Sequence, residues 1–213
     1  MELKPSWLLY AGLLAAVVAL LLFGWLANEV WRGGELRFDR FVREAIHASA
    51  SPRLTYAMRG ITQLGSPPFL IFASILLIWR LAEAGRTRAA ILLVLAAMGA
   101  EALDELLKLV FRRHRPEAYF GYPEPSTFSF PSGHAITACC FYGVVAAIIT
   151  VRLESRWKTV AVWLGAAFLA GLIGFSRIYL GVHYPSDVVA GYAAAVVWIG
   201  ALRASYSLWL RGR

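Results

Sequence analysis

The sequence predicts an all-α, polytopic membrane protein with six transmembrane helices and a short interfacial amphipathic helix between the first two. Three observations carry this. Hydrophobic residues make up 59% of the 213-residue chain and charged residues only 16%. The apolar residues gather in runs long enough to cross a bilayer, which takes about 20 residues. The stretches between those runs are short, and basic or rich in glycine and proline, so a single domain over residues 1–213 is expected.

The first span covers residues 7–27. Lys4 and the run after it have the look of a secretory leader. The run is longer than a leader's apolar core, however, and no small-residue cleavage site follows, so it is kept as a transmembrane helix. Residues 28–59 are mixed. Phe38, Phe41, Val42 and Ala45 recur at helical spacing among Arg37, Asp39, Arg40, Arg43 and Glu44. That pattern fits a helix lying in the interface, and equally a solvated helix packed on the bundle. Gly65-Ser66-Pro67-Pro68 is a break. The second span, 67–81, is short for a full crossing. Either the residues before the prolines contribute to it or the bilayer thins there.

After a polar turn at 83–88, the third span is 89–111. In its second half Glu101, Asp104, Glu105 and Lys108 recur at intervals of three and four, so they share one face. That face turns to the bundle interior, or else the helix ends near Ala100 and the charges sit at the interface. Residues 112–131 form a polar loop, and the fourth span is 132–151. A basic turn at 152–158 leads to the fifth span, 159–175, and the sixth runs 185–209. The pairs Ala170/Gly174 and Gly191/Ala195 are small residues four apart, suited to close helix packing.

The formal charge of +8 is spread in short patches between apolar runs, as for loops facing anionic headgroups. It argues against a nucleic-acid partner. Arg80, Arg86 and Arg88 in one short turn, and Arg152, Arg156 and Lys158 in another, favour a cytoplasmic place for those turns and for both termini. The arginines of the first loop oppose this unless that loop lies in the interface. Cys139 and Cys140 are adjacent on a helix and read as packing residues, with no disulfide and no metal-site pattern.

Three polar clusters fall on the same side of a six-span bundle. The first is Lys108 with Arg115-Pro116. Seven residues make two helical turns, so both cations are expected to face one way on a helix that Pro116 ends. The second is Pro131-Ser132-Gly133-His134, with Ser132 an expected N-cap and the free N–H groups behind it an anion site. The third is Ser176-Arg177 with His183 and Asp187. The last two lie one helical turn apart, with Pro185 between them suited to a helix start. Together these groups suit a phosphate. Lys108, Arg115 and Arg177 would neutralise it. A neutral His183, its tautomer held by Asp187, would attack phosphorus. His134 would protonate the leaving oxygen and then activate water. No carboxylate cluster is left over for Mg²⁺, so a metal-independent route without cofactor is expected.

These residues resemble the type 2 phosphatidic acid phosphatase superfamily, which also includes vanadium haloperoxidases and glucose-6-phosphatase. Its signature is Lys, six residues, Arg-Pro; then Pro-Ser-Gly-His; then Ser-Arg, five residues, His, three residues, Asp. All three parts are matched without substitution, within residues 108–187. The resemblance implies a six-helix core, a phosphohistidine on His183 and acid/base work by His134. It implies phosphate binding by Lys108, Arg115, Ser132, Gly133 and Arg177. It also implies a site on the extracytoplasmic face of a bacterial inner membrane. The expected activity is hydrolysis of a lipid phosphate or pyrophosphate, such as phosphatidic acid, phosphatidylglycerol phosphate or undecaprenyl pyrophosphate. A phosphotransferase using the same histidine, and a non-catalytic transporter using Glu101, are the alternatives; the sequence leaves the lipid and the oligomeric state open. Glu101, Asp104 and Glu105 receive no catalytic role, and His114, inside the first motif's spacer, either touches the substrate or is a loop histidine without a role.

Overall fold

The computed structural model describes residues 6–33 and 36–211, and among them every regular element is an α-helix. In chain order these are α1 (Ser6–Trp31), α2 (Arg37–Ala48), α3 (Pro52–Gln63) and α4 (Pro67–Glu83), then α5 (Thr87–Phe111), α6 (Gly133–Thr150), α7 (Arg156–Tyr179) and α8 (Pro185–Arg211). Helix α6 packs on α5, α7 and α8, and α1 lies along α8.

Among the described residues, four helices are long and apolar enough to cross a membrane: Tyr10–Trp31 within α1, α6, α7, and Pro185–Ser205 within α8. Helices α3 and α4 meet at 45° and together make a fifth candidate. The expected break at Gly65–Pro68 is this bend, with Pro67 opening α4 where its missing N–H costs nothing. The residues before the prolines form a separate helix, α3, that meets α4 at this bend. Helix α5 is 25 residues long but carries Arg88, Glu101, Asp104, Glu105 and Lys108, too many charges to qualify on composition.

The charged stripe on α5 divides. Asp104 and Lys108 are buried, and Glu101 and Glu105 are exposed. Four residues overshoot a full turn by about 40°, so a stripe this wide has an inner and an outer edge. The alternative of a helix ending near Ala100 is not what forms, because α5 continues unbroken to Phe111.

Helix α2 forms where the mixed segment predicted it. Its aromatics Phe38 and Phe41 face outward, while Asp39 is fully buried. Val42 and Ile46 pack on Ala135, Ile178 and Val188, so α2 lies across the ends of α6, α7 and α8. The small residues on α7 and α8 work as expected. A Cβ on Gly174 would stand 2.0 Å from the Tyr192 hydroxyl, and one on Gly191 would stand 2.7 Å from the Ser132 carbonyl. The two cysteines are free.

Candidate active site

The turn between α7 and α8 builds the centre of the site. Gly181 has φ +79°, a conformation that only glycine adopts readily, and a Cβ there would stand 2.6 Å from the Tyr119 nitrogen. The turn can therefore press against the 112–131 loop, where the Tyr119 N–H donates to the Leu180 carbonyl at 2.9 Å. It holds His183 with 2% of its surface exposed.

Asp187 lies in the first turn of α8 and is fully buried. Its Oδ2 is 3.4 Å from His183 Nδ1. The same oxygen accepts from the Ser129 hydroxyl at 2.5 Å and from the Tyr184 N–H at 2.8 Å. With acceptors gathered on Nδ1, the proton belongs there and Nε2 carries the lone pair. That lone pair faces Arg115, whose Nη1 is 3.0 Å away. Burial first, then the charges of Arg115, Arg177 and Lys108, hold the imidazole well below its ordinary pKa of 6.5. His183 is therefore neutral at pH 7.

Arg115 is held by backbone on three sides. Its Nε donates to the Thr127 carbonyl at 2.6 Å and Nη1 to the Val182 carbonyl at 2.7 Å. Nη2 donates to the Thr127 hydroxyl and the Phe128 carbonyl, each at 3.0 Å. Burial, then Arg177, pull its pKa down to about 10, so it stays cationic at neutral pH. The expectation that Lys108 and Arg115 share one helix face is corrected here. Helix α5 stops at Phe111, and Arg112 caps it in the left-handed conformation at φ 46°. The two cations converge because the loop turns back on itself, not because of helical periodicity.

The start of α6 closes the site. Ser132 occupies the N-cap position, but its side chain makes no capping bond. Its extended backbone (ψ 112°) leaves the hydroxyl buried and without a partner among the described residues. Its N–H donates to the Asp187 carbonyl at 3.0 Å, which ties α6 to α8. Gly133 sits against Asp104, where a Cβ would stand 2.5 Å from the carboxylate oxygen. Lys108 reaches that same oxygen at 2.6 Å. His134, half-buried in the first turn, lies within electrostatic reach of Arg177, His183, Lys108 and Arg115. Arg177 donates to the Thr62 hydroxyl at 2.8 Å and to the Tyr122 hydroxyl at 3.3 Å. Its Nε is buried and has no partner among the described residues. The fold thus gathers all eight predicted residues: His183, His134, Asp187, Lys108, Arg115, Ser132, Gly133 and Arg177. His114 is exposed.

Three residues escaped the sequence argument. Ser129 bridges Asp187 and His183, lying 3.5 Å from Nδ1. Arg113 donates to Asp187 Oδ1 at 2.7 Å and to Asp39 Oδ2 at 3.0 Å. Burial alone would lower the Arg113 pKa, but Asp187 and Asp39 outweigh it and the net shift is upward. Asp39 also accepts from the Ser186 N–H at 2.8 Å.

The arrangement offers a neutral imidazole with an unprotonated Nε2, a second imidazole, three cations and two buried donors without partners among the described residues. Unpartnered buried polar groups are costly, and an anion with several oxygens would satisfy both donors.

Comparison with known proteins agrees. A family model described as the PAP2 superfamily matches residues 89–210. Phosphatidylglycerophosphatase B of Bacillus subtilis is 32% identical over 161 residues, covering 75% of this chain and 78% of that one. Undecaprenyl-diphosphatase of Sulfolobus acidocaldarius is 34% identical over 117 residues, covering 53% of this chain and 52% of that one. Among solved structures, a transmembrane PAP2-type phosphatidylglycerolphosphate phosphatase from Bacillus subtilis superposes with a TM-score of 0.81 at 28% identity, over 90% of this chain and 96% of the other. With the three motifs, the apolar helices and these relatives in accord, this multi-pass membrane protein belongs to the PAP2 superfamily and is a phosphatase, a hydrolase of phosphoric esters.

Proposed function

We propose that the chain is a metal-independent lipid phosphatase that works through a phosphohistidine on His183. The observation that carries this is the unprotonated Nε2 of His183, held 3.0 Å from Arg115 Nη1, with the orphan donors Ser132 Oγ and Arg177 Nε in the same site. Lys108, Arg115 and Arg177 bind the phosphoryl oxygens, with the Ser132 hydroxyl and the N–H groups at the start of α6. The Nε2 lone pair attacks phosphorus, the bond from phosphorus to the lipid oxygen breaks, and that oxygen takes a proton from His134. Asp187 stabilises the positive imidazole ring. His134 then takes a proton from water, which attacks phosphorus and breaks the P–N bond. Inorganic phosphate leaves, and both histidines return to their starting forms.

A lipid substrate is favoured by an apolar groove of about 350 Å³ between α4, α5 and α6, lined by Leu70, Ile75, Ile78, Val94 and Phe141. Thr137 also lines it, and its hydroxyl bonds to the Gly133 carbonyl at 2.8 Å, so the groove ends one turn from the phosphate site. Phosphatidic acid, phosphatidylglycerol phosphate and undecaprenyl pyrophosphate all combine such a tail with such a headgroup.

In this proposal α3 with α4 makes one broken span and α5 another, giving six. Helix α5 crosses with its inward charges, Asp104 and Lys108, paired and its exposed Glu101 and Glu105 at the same end, near the interface. Helix α2 lies in the interface with Phe38 and Phe41 toward lipid. Residues 1–213 form one domain, the termini are cytoplasmic and the site faces outward from a bacterial inner membrane.

The test is phosphate release from the three lipids in detergent with EDTA present, by the wild type and by His183→Ala. Release by the wild type and none by the variant is expected. Undiminished release by His183→Ala removes the mechanism, and dependence on added divalent metal removes the metal-independent route.

A further inference from the structure

We propose that Asp39 and Arg113 are positioning residues that hold Asp187, and through it His183, in the geometry of attack. The proposal rests on the phosphohistidine reading above.

Asp187 has two oxygens with separate duties. Oδ2 faces His183, Ser129 and the Tyr184 N–H. Oδ1 is taken by Arg113 Nη1 at 2.7 Å, and that atom also donates to the Ser186 hydroxyl at 2.8 Å. The other arm of the guanidinium, Nη2, donates to Asp39 Oδ2 at 3.0 Å. Asp39 in turn accepts from the Ser186 N–H at 2.8 Å and from the Ser186 hydroxyl at 2.6 Å. Asp39 therefore grips both Arg113 and the backbone of α8 one residue before Asp187. The guanidinium is clamped from its face as well, 3.9 Å from the centre of the Tyr184 ring. Both carboxylates are fully buried, and Arg113 keeps only 10% of its side chain exposed.

The charges make Asp39 more than a strut. With Arg113 alone, Asp187 would be neutralised one to one and less able to balance the positive ring formed when His183 attacks. Asp39 draws on the same guanidinium. The set Asp39–Arg113–Asp187 keeps one net negative charge beside the nucleophile. The planar fork of arginine suits a bridge between two carboxylates, and lysine could not span it in the same way. None of the three touches the reacting phosphorus from this position, and Asp39 meets His183 only through the chain of contacts just described.

The experiment is a mutant cycle on the full chain, purified in detergent and assayed for phosphate release from a lipid phosphate monoester. Asp39→Asn is expected to lower kcat by roughly 100-fold, the cost of a nucleophile displaced by about 1 Å. KM and competitive inhibition by inorganic phosphate are expected to stay within about twofold, because the phosphate cradle is intact. In an Asp187→Asn background the same change is expected to cost less than about twofold, since its route to His183 is already cut. Three results overturn the proposal: Asp39→Asn at wild-type kcat, an equal cost in both backgrounds, or a loss confined to KM and phosphate inhibition. If Asp39→Asn does not elute as a folded protein, Asp39→Glu and Arg113→Lys, which keep the charges, replace it under the same criteria. A His183→Ala control separates this inference from the reading beneath it. Activity there sinks the mechanism, while an inactive control beside an unimpaired Asp39→Asn sinks only the positioning role.

Discussion

Nη1 of Arg115 lies 3.0 Å from Nε2 of His183, so in the proposed mechanism the cation that binds phosphate rests on the atom that attacks. When a phosphoryl group enters, this guanidinium exchanges an imidazole partner for an oxygen, and the lone pair is uncovered at that moment. Arg115→Lys keeps the charge but loses the fork that Thr127 and Phe128 hold in place. A fall in kcat/KM of roughly 100-fold is expected from steady-state assays, about 2.7 kcal/mol of transition-state stabilisation.

The same contact sets a pH dependence. Attack requires neutral His183, and burial and the neighbouring cations hold its pKa well below 6.5. A lowered pKa keeps the ring neutral into more acidic solution, so the acidic limb of kcat/KM is expected below pH 6.5. Removing a cation weakens the effect. In Arg115→Gln the limb is expected to move up toward 6.5, whatever the amplitude. A rate profile from about pH 4.5 to 9 checks both.

Ser129→Ala removes the hydroxyl that donates to Asp187 at 2.5 Å and leaves a buried carboxylate short of a donor. Such a loss costs about 1–3 kcal/mol. A drop in kcat of roughly 5- to 100-fold with little change in KM is expected, and unchanged kcat would remove Ser129 from the machinery.

Gly133→Ala would place a methyl group 2.5 Å from a carboxylate that Lys108 holds fixed. Overpacking of this kind costs about 1–3 kcal/mol, seen as a lower melting temperature in detergent. Adding Asp104→Ala clears the space, so the two changes together are expected to destabilise by less than the sum of each alone.

Ala97→Trp is expected to fill the groove between α4, α5 and α6, which Ala97 lines. Hydrolysis of a long-chain lipid phosphate should fall by at least roughly tenfold, the lower end for lost apolar contacts. Hydrolysis of a short water-soluble ester should not change. Equal effects on both substrates would mean that the groove does not hold the tail.

The chemical residues were legible because their spacing along the chain survives folding. His183 stands two residues before α8 and Asp187 in its first turn, and Ser132 holds the N-cap position of α6 next to His134, so short spacings in the chain become short distances in the site. The supports were not legible, for separate reasons. Asp39 stands among Arg37, Arg40, Arg43 and Glu44 in an amphipathic pattern, and nothing in that pattern sets the one buried acid apart from its charged neighbours. Arg113 lies in a run with Arg112, and only the left-handed cap at Arg112 decides which of them turns inward. Ser129 precedes its motif by two residues and matters only because the loop folds over α8. The helical geometry proposed for Lys108 and Arg115 failed because nothing local announces that α5 ends at Phe111. The Asp104–Lys108 pair, in contrast, was visible as an i,i+4 spacing, and burial alone remained to be found.

Asp39, Arg113 and Asp187 are separated by two intervals of 74 residues. That spacing sets an order during synthesis. The carboxylate of Asp39 emerges well before its guanidinium partner, and the second carboxylate is the last of the three. Without its guanidinium, Asp39 would be a bare charge buried against α8, so α2 gains its place there only together with Arg113. It can dock only when the loop after α5 arrives, and the grip on α8 closes only when nearly the whole chain has been made. A polypeptide stopped short of residue 187 thus lacks the clamp beside His183, so in the proposed mechanism the nucleophile is held only once the helices around it have assembled.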